Sequence, residues 1–277
     1  MRPPSRGDPS VNDLVSVSEW RSVADTFRTA SLLRQASQFA PVATFGLVHG
    51  AWHGAWCWET LIPELRARGH TAIAMDLPSD QRAATFADYA AAAAASLPPT
   101  PDLVLVGHSL AGMVTPLVAL QRPVGLLVFL CALIPDRQGD PTDRDGPPQH
   151  LEGAFDGLAY HEDGSHSWPS VHAARPILYQ DCSIELAAFA FARLRRQQVA
   201  LWEGWQPMVG WPDVPVASVH CQDDRAVNPR WSRWIAPLRL GVESVELPGG
   251  HSPMLSRPAL LAETLASIAD SALKATA

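Results

Sequence analysis

From Thr44 onward, short apolar runs alternate with longer segments whose apolar residues recur at helical spacing. The short runs are rich in Val, Leu and Ala, and most of them end at a polar residue, a glycine or a proline. Runs of this length, bounded in this way, are typical of strands in a well-covered sheet. The predicted strands cover residues 45–49, 71–75, 102–106, 124–130, 214–221 and 242–247.

The segments between these strands predict helices that would cover the sheet. They comprise residues 57–68, 85–97, 110–121, 228–238 and 258–273. Thr85 is a suitable N-cap for the second of them, with Asp88 three residues later. Alternating strands and helices predict an α/β fold with a mostly parallel, six-stranded sheet flanked by helices.

Residues 135–212 interrupt this alternation after the fourth predicted strand. The segment is first rich in Asp, Pro and Gly, then helix-like over 183–201, and then carries three tryptophans. A long insertion of this kind predicts a cap over a pocket. Its tryptophans Trp202, Trp205 and Trp211 are candidates for the pocket wall, although large aromatic residues also fill ordinary cores.

Residues 1–40 precede the alternating pattern and are polar and weakly patterned. We interpret them as an N-terminal extension to an α/β domain that spans residues 41–277. Within the extension, residues 12–38 could form an amphipathic helix, either docked or loosely attached. No apolar segment typical of a secretory signal follows the early arginines.

Ser109 stands at the junction of the third strand and the next helix, in the sequence Gly107-His108-Ser109-Leu110-Ala111-Gly112. A serine on such a strand-to-helix turn, between small residues, is presented at the carboxyl edge of the sheet. We therefore predict that Ser109 is a nucleophile rather than an ordinary polar turn residue. The adjacent His108 is interpreted as structural.

The last two predicted strands each end in a polar segment that could activate this serine. Asp223 and Asp224 follow one strand, and His251 follows the other. Because parallel strands bring their carboxyl ends to one edge, these side chains should converge with Ser109. The imidazole would act as the base and one carboxylate would orient it. The two adjacent aspartates leave the choice of acid open, with Asp224 favoured.

The loop after the first strand repeats one phrase, His49-Gly50-Ala51-Trp52 and then His-Gly-Ala-Trp again. Its glycines permit a tight turn whose amides can point at a ligand. We predict an oxyanion hole formed by the backbone N–H groups of Ala51 and Leu110. Trp52 is a further candidate for the pocket wall. His49 and His53 lie on a glycine loop rather than a helix, which disfavours a metal site.

Composition excludes several classes of function. Hydrophobic residues make up 47% and charged residues 18% of the 277 positions, and the net charge is −7. We expect a globular protein without membrane spans and without a basic surface for nucleic acid. The scattered cysteines predict reduced thiols in a cytoplasmic protein, without zinc. They are Cys57, Cys131, Cys182 and Cys221.

These motifs resemble those of the α/β-hydrolase superfamily, in its methylesterase and hydroxynitrile-lyase-like branch, which has many small bacterial esterase-like members. The similarity covers roughly residues 43–273. It rests on residues 47–58, Met75-Asp76-Leu77-Pro78, residues 107–112, Asp224-Arg225-Ala226-Val227 and Gly250-His251-Ser252-Pro253. The resemblance implies the α/β-hydrolase fold, a cap, and a Ser–Asp–His triad that needs no cofactor.

The same resemblance bears on two open choices. The family's acid precedes a basic residue, as Asp224 precedes Arg225, which favours Asp224 over Asp223. The hydroxynitrile lyases of this branch carry a threonine where Gly50 stands and a lysine where Ser252 stands, so they resemble this chain less than the esterases do. Ala111 replaces a usual glycine, a change that the turn should tolerate.

We therefore predict a cofactor-free carboxylesterase that acts on a small, apolar ester through an acyl-enzyme on Ser109. Hydroxynitrile-lyase-like chemistry and ligand binding without catalysis, both on the same fold, are the alternatives. The sequence leaves the acyl and alcohol groups open, and also whether the chain forms a homodimer.

Overall fold

The computed structural model describes residues 42–137, 146–202, 205 and 208–275. The predicted helix over 12–38 lies outside these residues. The strands are β1 (Thr44–Val48), β2 (Thr71–Met75), β3 (Leu103–His108), β4 (Leu126–Leu130), β5 (Ala159–Tyr160), β6 (Ser165–Ser167), β7 (Gln197–Gln198), β8 (Val216–Cys221) and β9 (Ser244–Leu247).

Six of these strands form the predicted parallel sheet, in the order β2-β1-β3-β4-β8-β9. Each of its pairings is parallel. The central strands β3 and β4 are buried along their whole length, as expected where helices cover both faces. The edge strands β2 and β9 are partly exposed. The prediction of an α/β fold with this sheet is confirmed.

Helices flank the sheet largely where they were predicted. They are α1 (Leu61–Ala67), α2 (Phe86–Ala95), α3 (Thr115–Ala119), α4 (Val171–Leu178), α5 (Ile184–Phe191), α6 (Pro229–Leu240), α7 (Pro253–Ser256) and α8 (Pro258–Ala275). Thr85 caps α2 as predicted: its Oγ1 accepts from the Asp88 amide, and its own amide donates to the Asp88 carboxylate. No described helix has the length and apolar character needed to cross a membrane.

Two predicted helices are each divided into a 3-10 segment and a short α-helix. The helix over 57–68 consists of the 3-10 segment Ala55–Trp58 and then α1, and the helix over 110–121 consists of the 3-10 segment Ser109–Met113 and then α3. In the second case the Ser109 carbonyl accepts a hydrogen bond from the Leu133 amide at 3.0 Å. That tertiary contact competes with the regular α-helical pattern at this point.

The chain leaves the main sheet between β4 and β8 and forms a cap, as the predicted insertion requires. The cap contains the antiparallel sheet β5-β6-β7 and the helices α4 and α5. Its ends meet where Met208 donates a backbone hydrogen bond to Asp136 at 2.9 Å.

The prediction of a continuous helix over 183–201 is wrong. Helix α5 ends at Phe191, and the chain then forms β7 and the 3-10 segment Val199–Trp202. The Arg195 amide donates to the Trp52 carbonyl at 2.6 Å, and Gln197 and Gln198 pair with β6. These tertiary contacts override the local helical spacing.

Candidate active site

Ser109 lies directly after β3 in a strained backbone conformation. Its φ of 54° is in the left-handed region that residues other than glycine rarely adopt. Gly107 permits the close turn, since a Cβ there would lie 2.9 Å from the Ala111 carbonyl oxygen. Strain of this kind persists where the surrounding structure imposes it, and it is common at reactive serines on strand-to-helix turns.

His251 and Asp224 form a buried pair at the same edge of the sheet. His251 Nδ1 lies 2.8 Å from Asp224 Oδ2, and each side chain is only 2% exposed. The other carboxylate oxygen, Oδ1, accepts from the amides of Ala226 at 2.8 Å and Val227 at 3.0 Å. The carboxylate is therefore fixed, and it holds the proton of the neutral imidazole on Nδ1. Nε2 is left as the basic nitrogen.

Asp223 takes a different direction from the same turn. Its side chain is exposed and contacts Gln222, whose Nε2 lies 3.3 Å from Oδ2. Its amide donates to the Gly249 carbonyl at 3.0 Å. Of the two candidate acids, the structure brings Asp224 to His251.

The loop after β1 approaches Ser109 closely. A Cβ on Gly50 would lie 2.7 Å from the Ser109 Cβ, so a larger residue would force the loop or the serine to shift. Ala51 and Leu110, the predicted oxyanion donors, both line the same cavity as Ser109. Trp52, the next residue, has a φ of 63°, which turns the loop sharply. The loop thus brings the predicted donor Ala51 to the cavity that Ser109 and Leu110 also line.

His49 holds one side of this loop. Its Nε2 accepts from the Leu77 amide at 2.9 Å, so Nδ1 carries the proton and donates to the Gly50 carbonyl at 2.8 Å. Burial lowers the pKa of His49 to about 4, which keeps the ring neutral.

His53 holds the other side of the loop through a contact with the cap. Its Nδ1 donates to the Ala51 carbonyl at 2.8 Å, and its Nε2 accepts from the Tyr179 hydroxyl at 2.8 Å. Burial lowers the pKa of His53 to about 3. Both ring nitrogens of His49 and of His53 are therefore engaged in positioning the loop. The sequence showed these histidines but gave no signal that Tyr179 would meet one of them.

His108 packs against the candidate base His251 and fixes its backbone, in keeping with the predicted structural role of His108. Its Nε2 lies 2.8 Å from the His251 carbonyl oxygen, which can only accept, so Nε2 carries the proton. The ring centroids of His108 and His251 are 4.7 Å apart. Burial lowers the pKa of His108, so the ring stays neutral beside His251.

A cavity of about 240 Å³ opens at Ser109 and His251. Two of the predicted wall residues, Trp52 and Trp202, line it. The Trp52 indole is 5.8 Å from the Phe155 ring and packs beside the cavity, whereas Trp202 is 40% exposed near its edge.

The other two predicted wall residues lie elsewhere. Trp205 packs on Phe86 at 5.2 Å and donates to Asp136 at 3.3 Å. Trp211 stacks on Phe129 at 6.2 Å. Both therefore contribute to packing rather than to the described cavity lining, although all three cap tryptophans have the same appearance in the sequence.

Most of the cavity's remaining wall comes from cap residues that the sequence analysis missed. They are His150, Phe155, Leu158, Tyr160, His166 and Gln197. Three of them belong to the short strands β5, β6 and β7. Strands of two or three residues carry too little periodicity to be read from a sequence.

Comparisons with known proteins identify the family of this chain. Residues 47–264 match the model of the alpha/beta hydrolase family. The chain is 28% identical to Methylesterase 2 of Arabidopsis thaliana, over 82% of this chain and 95% of that protein. It is 31% identical to Alpha-hydroxynitrile lyase of the same plant, over 81% and 96%.

Among solved structures, polyneuridine aldehyde esterase is similar, with a TM-score of 0.66 at 23% identity, over 82% of this chain and 99% of that one. At this identity the likeness concerns the fold. The family match and the similarity to the lyase agree with the sheet and with the resemblance found in the sequence. The chain belongs to the α/β hydrolase family, in the branch that includes methylesterases and hydroxynitrile lyases.

Proposed function

We propose that this protein is a serine carboxylesterase that cleaves a small, largely apolar carboxylic ester through an acyl-enzyme on Ser109. The observation that carries the proposal is the buried His251–Asp224 pair at 2.8 Å, whose histidine lines the same cavity as the strained Ser109. A nucleophile, a base and an orienting carboxylate on these strand ends suit acyl transfer.

In the first half-reaction, His251 Nε2 takes the Ser109 hydroxyl proton while Oγ attacks the ester carbonyl. The amides of Ala51 and Leu110 stabilise the oxyanion that forms. The imidazolium, stabilised by Asp224, then gives its proton to the departing alkoxide, and the alcohol leaves. In the second half-reaction, water repeats the attack with His251 as base, which releases the acid and restores Ser109.

The cavity supports a small substrate. Its volume of about 240 Å³ lies below the ~300–1,000 Å³ of typical ligand pockets. Large apolar side chains, including Trp52, Phe155 and Leu158, line it. Such walls favour a compact acyl or aryl group over a long chain or a charged one.

Lyase chemistry is less well supported. A departing cyanide needs a nearby cation, and Ser252 stands where the lyases of this branch carry lysine. Among the described residues that line the cavity, none is a lysine or an arginine. A mandelonitrile assay beside the esterase assays distinguishes the two activities.

The proposal is tested with a panel of short-chain and aryl esters and a fluorophosphonate probe. We expect alcohol release from at least one ester, and probe labelling of the wild type but not of Ser109→Ala. His251→Ala should lose nearly all turnover while its thermal unfolding stays cooperative. An unlabelled wild type that cleaves no ester would overturn the proposal.

A further inference from the structure

A row of three side chains crosses the small cap sheet and faces the cavity. Tyr160 pairs with His166, and His166 pairs with Gln197, in the antiparallel register of β5, β6 and β7. Side chains of directly opposed residues project to the same face of a sheet. All three residues line the cavity that contains Ser109.

His166 offers a hydrogen-bond donor in this row. Its Nδ1 accepts from the Trp52 indole N–H at 3.0 Å. Burial lowers the pKa of His166, so the neutral ring carries its proton on Nε2. No hydrogen-bond acceptor for this N–H is present among the described residues.

Gln197 offers the complementary acceptor beside it. Its Nε2 donates to the Tyr89 hydroxyl at 3.0 Å and lies 3.3 Å from the Gln198 carbonyl oxygen. Because that carbonyl can only accept, the amide nitrogen is held on that side. The amide oxygen, Oε1, is buried and has no partner among the described residues, and the whole residue is only 1% exposed.

A buried acceptor such as Gln197 Oε1 costs free energy when it lacks a hydrogen-bond partner. The donor beside it, His166 Nε2, limits which ligand groups can form hydrogen bonds with both atoms. A hydroxyl group fits both: its O–H donates to Gln197 Oε1, and its oxygen accepts from His166 Nε2. A carbonyl would satisfy only His166, and an N–H group would satisfy only Gln197. The surrounding wall, with Phe155 and Leu158, is apolar.

We infer that Gln197 and His166 form a subsite for a hydroxyl group, so that the substrate is a hydroxylated ester with an otherwise apolar body. This inference rests on the proposed esterase function and specifies its substrate class. The hydroxyl can belong to the acyl part or to the alcohol part of the ester, and the experiment separates these sources.

The experiment uses two ester series on the full chain. One series is methyl phenylpropanoate and its three derivatives with one ring hydroxyl group. The other is phenylethyl acetate and its three derivatives with one ring hydroxyl group. We expect one hydroxylated isomer to exceed its parent ester in kcat/KM by about tenfold or more, since a site built for a hydroxyl discriminates against ligands that lack it. The series that contains it identifies the acyl or the alcohol side.

Gln197→Met removes the acceptor and keeps the side chain at a similar size. It should abolish the preference, because kcat/KM should fall about tenfold more for the hydroxylated ester than for the parent ester. A cooperative thermal unfolding transition close to that of the wild type checks that the variant folds. Gln198→Met is the matched control: it alters the next residue of β7, which pairs with Ser165 and lines a separate surface hollow. It should keep the preference.

Binding to the Ser109→Ala protein, measured by calorimetry with the same esters, separates this inference from the esterase proposal. Tighter binding of a hydroxylated isomer without any turnover in the wild type would support the subsite and contradict the esterase function. Equal kcat/KM and equal affinity across both series, no binding of any ester, or a preference that survives Gln197→Met would overturn the subsite.

Discussion

At the scale of single residues, the direction of one carboxylate decides which aspartate serves His251. The amides of Ala226 and Val227 fix Asp224 Oδ1, and Oδ2 then meets the imidazole. Asp223, one residue earlier, points to solvent. The two positions therefore provide a sharp comparison between nearly identical substitutions.

Asp224→Asn should lower kcat by about 10²–10⁴-fold, because an amide cannot stabilise the imidazolium and can favour the wrong tautomer. Asp223→Asn, the matched control, should keep kcat within about twofold of the wild type. Steady-state kinetics on one ester measure both. The reverse ranking would contradict the assignment of Asp224.

The sequence predicted the positions of Ser109 and His251 because each follows a recognisable strand. It did not decide between Asp223 and Asp224 from the turn alone, since turn direction depends on backbone contacts that spacing does not reveal. The wall tryptophans show the same limit. Trp202 faces the cavity and Trp211 packs on Phe129, yet both follow the same cap helix in the sequence.

We predict that Tyr179 positions the loop that contains the proposed oxyanion donor Ala51, because its hydroxyl contacts His53, which in turn donates to the Ala51 carbonyl. Tyr179→Phe leaves His53 Nε2 buried without its donor, which typically costs about 1–3 kcal/mol. We expect kcat to fall about tenfold while KM changes little, because a misplaced amide affects the transition state more than substrate binding. A roughly tenfold rise in KM with unchanged kcat would contradict this role.

At the scale of secondary structure elements, the attachment of the cap depends on the segment after α5. Arg195 donates from Nη1 to the Leu77 carbonyl at 3.0 Å and from Nη2 to Asp80 at 2.9 Å. Its neighbour Arg196 pairs with the exposed Asp163 at 3.1 Å. One arginine therefore joins the cap to the loop after β2, and the next stays within the cap.

Arg195→Met should raise KM several-fold and increase the rate of proteolytic cleavage in the cap, since hydrogen bonds from a charged group are lost. Arg196→Met should change neither quantity appreciably, because exposed ion pairs contribute little. Limited proteolysis and kinetics on the two variants make the comparison. Equal effects of both substitutions would show that Arg195 has no special role in cap attachment.

The elements differ in how far the sequence determines them. The main-sheet strands were predicted closely because their short apolar runs end at polar residues, glycines or prolines and alternate with helical segments. The segment over 183–201 looked helical throughout, but its second half pairs with β6 and binds the core. Such tertiary pairing leaves no local signal, and the small cap sheet with Gln197 was missed for this reason.

At the scale of the whole molecule, buried neutral histidines make stability depend on pH. The pKa of His49 is about 4 and that of His53 about 3 in the folded protein, against about 6.5 when unfolded. Between about pH 6.5 and 4 the unfolded chain binds more protons, so the free energy of unfolding falls as pH falls. Each such histidine contributes about 1.4 kcal/mol per pH unit in this window.

Chemical unfolding at several pH values between about 7 and 4.5 tests this dependence. The wild type should lose stability on acidification. His53→Gln should be less stable at neutral pH but should show a shallower slope, by up to about 1.4 kcal/mol per pH unit. An unchanged slope in the variant would mean that His53 is not held neutral by the fold.

The central claim is that Ser109 carries the acyl group during ester cleavage. Intact-mass spectrometry of enzyme quenched during turnover of an aryl ester tests it most directly. We predict a mass increase equal to the acyl group, located on the peptide that contains Ser109 and absent from Ser109→Ala, which should be inactive. Ester cleavage without such an adduct, by a Ser109→Ala protein as active as the wild type, would contradict the account.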